Sequence, residues 1–333
     1  MNPSPTSCRV AIVQHPPVFL NLPASIERAC GLTAEAAAQG AQVIVFPETW
    51  LPGYPVWLDE APGAGLWNHP PATALYRRLA ENALTIPGPH FARLQSCAHR
   101  LGVYLVMGAH ERAGSTLYNT TINFSRDGAT YRIHRKLMPT YTERLLWGQG
   151  DGSTLAPLDT EFGPLGGLIC WEHWMPHARA AMHAQREAIH TAQWPTVREM
   201  HLVASRHYAF EGRCFVLAAG TVLTKGAVLA GFDSLARPDE AGARALLASI
   251  PGDDATLLLR GGSAIIAPDG AILAGPLHEQ NGILHAELNL ATLVDGRLTL
   301  DTDGHYARPD VFQLTVNTQP QANVTFSPAI PPA

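Results

Sequence analysis

Short apolar runs rich in β-branched residues alternate with segments of helical composition, which predicts an α/β protein whose strands are sandwiched by helices. Three observations carry this. The chain opens as a β-α-β unit, the alternation recurs further along, and turn sequences at Asp127-Gly128 and Pro268-Asp269-Gly270 add hairpin strands to it.

In chain order, residues 10–14 and 43–46 read as strands, and residues 24–39 between them as a helix stopped by Gly40. A helix over 91–100 ends at Gly102 and leads into strands at 103–108, 118–124 and 129–134. A polar and aromatic loop over 137–153 precedes the strand 165–169, and Cys170 sits where that strand ends. Beyond it a helix is expected over 178–187, a strand over 189–193, a helix over 197–212 and a strand over 214–219. Residues 224–252 lack a clear period and contain several Gly and Pro, so they read as an inserted excursion with one short helix near 240–247. Strands resume at 263–267, 271–274 and 282–287, separated by turn sequences that include Gly275-Pro276. With no linker or repeat in sight, residues 1–318 are expected to form a single domain, followed by a Pro-rich tail over 319–333.

Composition narrows the function. Of 333 residues 46% are hydrophobic, enough for a large core, while only 15% are charged against roughly 25% in an average soluble protein. A surface so short of charge is expected to be partly covered by other subunits. The formal charge is −5 and no basic block is present, so nucleic acid is not an expected partner. No stretch is apolar for the length of a membrane span, and the N-terminus lacks the layout of a signal peptide. Cys8, Cys30, Cys97, Cys170 and Cys214 are odd in number and scattered, which fits free thiols in a reducing cytoplasm.

Three segments place reactive side chains at the ends of apolar strands, where open α/β sheets tend to carry their sites. They are residues 43–48 ending in Glu48, residues 134–139 containing Lys136, and residues 166–173 containing Cys170. Each is bland alone: the acid and the lysine suit solvated turns, and a lone Cys is most often a small buried hydrophobe. Together they describe a nucleophile. A thiol with a pKa of about 8.5 needs a base to become a thiolate, and Glu48 can serve if burial against Phe46, Trp50 and Trp171 raises its own pKa. Lys136 then offers a fixed cation for charge developing on a nitrile nitrogen, together with the backbone N–H that follows Cys170. Groups so close are expected to titrate as a unit.

These segments resemble those of the nitrilase superfamily, with its Glu-Lys-Cys triad. Cys170-Trp171-Glu172-His173 followed by Pro176 resembles the nitrilase branch in particular. The resemblance extends over most of the chain, through Arg135-Lys136-Leu137, Glu143-Arg144, Trp147-Gly148-Gln149-Gly150, Arg260-Gly261-Gly262-Ser263 and Gly304-His305-Tyr306-Ala307-Arg308. It implies a four-layer α-β-β-α sandwich, dimers that extend it to α-β-β-α-α-β-β-α, helical filaments of those dimers, and no cofactor. It also implies that Glu143 holds the catalytic lysine, the bland reading being a loop ion pair with Arg144.

Hydrolysis of an organic nitrile, aromatic or arylaliphatic, to an acid and ammonia is the activity so implied, with some amide as a by-product. The nearest rivals are an amidase or carbamoylase and a cyanide-degrading enzyme of the same superfamily. A non-catalytic filament-forming protein is the rival of another class, and the presence of all three triad residues speaks against it. Tyr54, Trp57, Trp171, His173 and Trp194 are candidates for the substrate pocket. His173 and His177 are four apart, but Pro176 interrupts a regular helix between them, so no metal is expected. Gly166-Gly167 is expected to permit close packing before Cys170.

Overall fold

The computed structural model describes residues 5–235, 237, 239–322 and 324. Its strands in chain order are β1 (Ser7–Gln14), β2 (Val43–Val45), β3 (Tyr104–Ala113), β4 (Thr116–Phe124), β5 (Tyr131–Arg135), β6 (Leu165–Ile169), β7 (Ile189–Gln193), β8 (Phe215–Ala219), β9 (Val222–Thr224), β10 (Leu257–Ile266), β11 (Ile272–His278) and β12 (Gly282–Asn289). The helices are α1 (Leu22–Ala38), α2 (Trp57–Glu60), α3 (Pro70–Glu81), α4 (Pro89–Leu101), α5 (Pro176–His183), α6 (Glu199–Gly212), α7 (Lys225–Asp233), α8 (Ala241–Ala248) and α9 (Thr292–Asp295), with short 3-10 turns between them.

Two sheets form. One has the order β12-β1-β2-β3-β4-β5 and the other β11-β10-β8-β7-β6. The first is parallel at its centre, β1-β2-β3, and antiparallel at both margins; the second is parallel over β6-β7-β8, with β6 at its edge, and antiparallel on the β10-β11 side. The central strands are buried on both faces, which is why most of them read as apolar runs, β7 with its buried His190, Thr191 and Gln193 being the exception. Along β1, Val10 and Ile12 pack toward the second sheet with Leu165, Ile189 and Phe215, whereas Ala11 and Val13 pack on Ile26 and Ala29 of α1 and Leu94 of α4. On the far side Leu168, Ala192, Val216 and Ala218 meet Met182 of α5 and Ala204 and Tyr208 of α6. Helices, sheet, sheet and helices therefore stack as four layers, as expected.

The excursion departs from expectation. Residues 224–252 hold two helices, α7 and α8, which pack on α3 through Leu75, Leu79, Val228, Phe232, Leu246 and Leu247. Neither α2, a single turn of four residues, nor α3, which starts at Pro70-Pro71 after a Gly- and Pro-containing stretch, is among the elements expected from the sequence. Arg78 of α3 pairs with Glu240 inside this satellite core. Most of the expected tail, from residue 325 on, lies outside the described residues; before it, the Gln321 N–H donates to Asp151 at 2.8 Å.

Candidate active site

The parallel strands of both sheets end on the same side, and the chain turns there into the residues singled out by chemistry. After β2 comes Phe46-Pro47-Glu48, after β5 comes Lys136, and after β6 comes Cys170. A cross-sheet tie sets the distance between them: the Gln193 side chain at the end of β7 donates to the Phe46 carbonyl at 2.5 Å. Thr49, Tyr141 and Cys170 all adopt the left-handed backbone region, with φ of 41°, 47° and 54°. Such conformations cost about 1–3 kcal/mol each in a non-glycine residue, so the surroundings hold strain beside all three parts of the site.

Lys136 Nζ donates to Glu48 Oε1 at 2.8 Å and to Glu143 Oε2 at 2.7 Å, and all three side chains are buried. Glu143 is oriented in turn, accepting from the Thr140 N–H at 2.6 Å and from the Tyr54 hydroxyl at 2.9 Å. Arg144 donates to the Pro139 carbonyl instead, so the loop ion pair with Glu143 does not form. Asn119 Nδ2 donates to Glu48 Oε1 at 2.7 Å, which leaves Glu48 Oε2 buried and without a partner. Ligand atoms of Glu48, Glu143 and Cys170 lie within 4.8 Å of one another, a metal-like grouping, but the Lys136 ammonium already bridges both carboxylates.

One cation thus faces two carboxylates and a thiol in a dry site. Burial pushes the Glu48 carboxyl up to about 7, against the pull of Lys136 and with a further push from Glu143. Burial also drives the Cys170 thiol well above its ordinary value, and Glu48 adds to this while Lys136 opposes it. Lys136 is held above the usual lysine range: burial acts downward, but Cys170, Glu48 and Glu143 outweigh it. The resting site therefore pairs a protonated thiol with a carboxylate close to its midpoint at neutral pH. Phe46 and Trp50, with ring centroids 4.8 Å apart, are buried on either side of Glu48 in the chain, whereas Trp171 is 53% exposed.

Glu172, named only as part of a motif in the sequence, acts as a clamp. It accepts from the Ile169 N–H at 2.6 Å and the Leu137 N–H at 2.7 Å, so one carboxylate ties the Cys170 strand to the turn carrying Lys136. Burial would raise this carboxyl, yet His134 and the two N–H donors hold it below the ordinary range. Asn119, Gln193 and Glu172 carry no spacing signal that marks them in advance; their roles come from cross-strand and cross-sheet neighbours.

A cavity of about 440 Å³ opens over Cys170, lined in part by Tyr54, Thr140, Tyr141, Glu143, Trp171 and His201. Of the five pocket candidates, Tyr54 and Trp171 lie on its wall. The other three do not. Trp57 is spent on the satellite core, edge-on to Phe19. Trp194 is fully buried, stacked between His173 and His201, and His173 is turned inward to the Cys170 carbonyl. Gly166 and Gly167 are needed for close approach, as expected, but chiefly to side chains: a Cβ there would fall 1.8 Å from Glu187 Oε1 and 2.2 Å from Thr191 Oγ1.

No described helix is long and apolar enough to cross a membrane. The sequence matches the carbon-nitrogen hydrolase family over residues 9–297. It is 39% identical to nitrilase 2 of Arabidopsis thaliana over 97% of this chain and 92% of that protein. It is equally 39% identical to an aliphatic nitrilase of Sinorhizobium fredii, over 96% of this chain and 98% of that one. Among solved structures, the NitFhit protein of C. elegans superposes with a TM-score of 0.68 at 17% identity, covering 96% of this chain and 70% of that one, which speaks to the fold. The buried cysteine-centred cluster, the two-sheet fold and these likenesses agree that the chain belongs to the carbon-nitrogen hydrolases of the nitrilase superfamily.

Proposed function

We propose that this enzyme hydrolyses an organic nitrile, aromatic or arylaliphatic, to a carboxylic acid and ammonia, with Cys170 as nucleophile, Glu48 as base, and Lys136 held by Glu143. The observation that carries the reading is the unpartnered Glu48 Oε2, buried in one cluster with the Cys170 thiol. Cys170 sulfur bonds to the nitrile carbon as its proton passes to Glu48, and Glu48 returns that proton to the nitrogen, giving a thioimidate and a free carboxylate. Water prepared by Glu48 adds to the thioimidate carbon, the C–N bond breaks, and ammonia leaves with a proton returned by Glu48. A second water cleaves the remaining thioester to acid and frees the thiol. If the carbon–sulfur bond of the first tetrahedral intermediate breaks instead, amide is released.

Charge on the reacting nitrogen would be met by Lys136 and by the Trp171 N–H, which lies in the first turn of the 3-10 segment Cys170–Trp174 and has no helical partner there. The aryl preference is supported by Tyr54, Tyr141 and Trp171 on the wall of a cavity whose volume falls in the usual ligand range of about 300–1,000 Å³. Self-association into dimers and helical filaments belongs to the same reading. Its support is a set of exposed apolar side chains, Met200, Val203 and Phe210 on α6 and Trp174 and Met175 just before α5. Five free cysteines suit a reducing cytoplasm.

The test is product analysis by mass spectrometry with aliphatic, aryl and arylacetonitriles, cyanide and matched amides. Acid and ammonia from aryl nitriles, lost in Cys170→Ala, are expected. Turnover of amides alone would assign the protein to the amidases, and a cyanide preference would assign it to the cyanide-degrading branch.

A further inference from the structure

Beneath the nucleophile lies a row of buried side chains that the proposed reaction leaves unused. His173 Nδ1 is 2.7 Å from the Cys170 carbonyl oxygen, His173 Nε2 is 3.0 Å from His190 Nε2, and His190 Nδ1 is 2.9 Å from Glu187 Oε1. The Tyr208 hydroxyl donates to Glu187 Oε2 at 2.5 Å. All four side chains are buried.

The protons in this row can be counted. A carbonyl oxygen only accepts, so His173 Nδ1 carries the hydrogen, and a neutral His173 then offers a lone pair at Nε2. His190 must donate to it from Nε2. Its other nitrogen faces both carboxylate oxygens of Glu187, at 2.9 and 3.1 Å, and must also carry a hydrogen unless the carboxyl does. Three hydrogen bonds in series therefore require one proton beyond two neutral imidazoles and a carboxylate.

Its location follows from the surroundings. Burial would raise the Glu187 carboxyl, but His190 and Tyr208 hold it below the ordinary range, so it is ionised. Burial, and then His190, push His173 well below the ordinary imidazole range, so it is neutral. The geometry puts the extra proton between His190 Nδ1 and the two Glu187 oxygens it faces, where the His190 ring also lies against the Tyr208 ring with centroids 3.7 Å apart. Gly166 provides the space, since a Cβ at that position would overlap Glu187 Oε1.

We propose that Glu187, His190 and His173 are positioning residues: a proton-loaded relay that polarises the Cys170–Trp171 peptide through its carbonyl and strengthens the Trp171 N–H as a donor to charge developing during addition at Cys170. A hydrogen bond accepted by a peptide carbonyl withdraws electron density from the same peptide's N–H, and such chains reinforce one another in a dry interior. The inference rests on the proposed cysteine chemistry but not on the choice of nitrile over amide.

Two reactions of the full-length protein separate tuning from simple support. Turnover of whichever substrate the wild type prefers, nitrile or amide, builds charge that the N–H must meet; alkylation of Cys170 by iodoacetamide uses the same thiol and builds none. Losing a whole donor of this kind costs about 10²–10³ in kcat, so weakening one in Glu187→Gln is expected to lower kcat about tenfold. KM and the alkylation rate are expected to stay within about twofold of wild type on the same grounds. Tyr208→Phe, which removes one bond to Glu187 and little volume, is expected to do the same more weakly, and serves if Glu187→Gln does not fold. A parallel fall in turnover and alkylation, or an unchanged kcat in either folded variant, would overturn the proposal. Loss of the nitrile reading alone would show instead as wild-type turnover confined to amides.

Discussion

The chain buries ionised side chains in two contrasting ways. In the satellite core Arg78 meets Glu240 one to one: Nε donates to Oε1 at 2.9 Å, Nη2 to Oε2, Nη1 to the Phe232 carbonyl, and the guanidinium lies 4.5 Å from the Phe232 ring centroid. Charge and donors are matched, and the arrangement is inert. At the strand ends one ammonium serves two carboxylates, and Glu48 Oε2 is left over beside Cys170. Burial without full compensation shifts pKa values toward use at neutral pH, whereas burial with full compensation only fixes a packing geometry. The comparison separates a reactive buried charge from a structural one by counting partners.

That contrast can be broken by mutation, beginning with the largest effect. Glu48→Gln keeps the shape and the Lys136 contact but cannot take a proton, so kcat/KM is expected to fall by about 10²–10⁴, with the melting temperature held or raised. Activity near wild type would place the base elsewhere. Arg78→Met should leave an uncompensated Glu240 and destabilise the fold by about 3–5 kcal/mol in denaturant titrations, with kcat of the folded fraction unchanged. Adding Glu240→Leu should recover most of that loss; a double variant as unstable as the single one would mean that the pair does more than pack.

Smaller effects sharpen the comparison. Tyr54→Phe removes one donor from Glu143, a bond to a charged group worth about 1.5–3 kcal/mol, and kcat/KM is expected to fall roughly tenfold. Because Glu48 must be ionised to act, kcat/KM should fall as pH drops through about 7, where burial places its carboxyl. Asn119→Leu deletes a hydrogen bond that favours the ionised form, so the midpoint of that acid limb should move to higher pH, whereas a downward shift would contradict the assignment of the limb to Glu48.

The elements legible in the sequence share one property: their side chains answer to a single periodic environment. Strands β6 and β8 and the middle of β1 appear as apolar runs because both faces are covered. Helix α1 is bounded by Gly40, whose φ of 87° needs no Cβ clash to be tolerated. Helices α3 and α7 were not legible, since their burial depends on each other and on α8 across a long stretch of chain. The candidate site residues were legible because thiol, carboxylate and ammonium at strand ends are chemically conspicuous. The pocket was less so: Trp57, His173 and Trp194 have the composition of a binding wall but face inward.

By itself, then, the sequence pointed to the layered α/β class and singled out Glu48, Lys136 and Cys170 as candidates, with Glu143 implied by the family resemblance, because local periodicity and functional-group chemistry are properties of short segments. Only the tertiary structure decided which carboxylate oxygen lacks a partner, which aromatic rings see the cavity, and that Glu187 and His190 line up behind Cys170. Those facts depend on distances between residues far apart in the chain, set by the packing of one sheet on the other, and no local pattern encodes them.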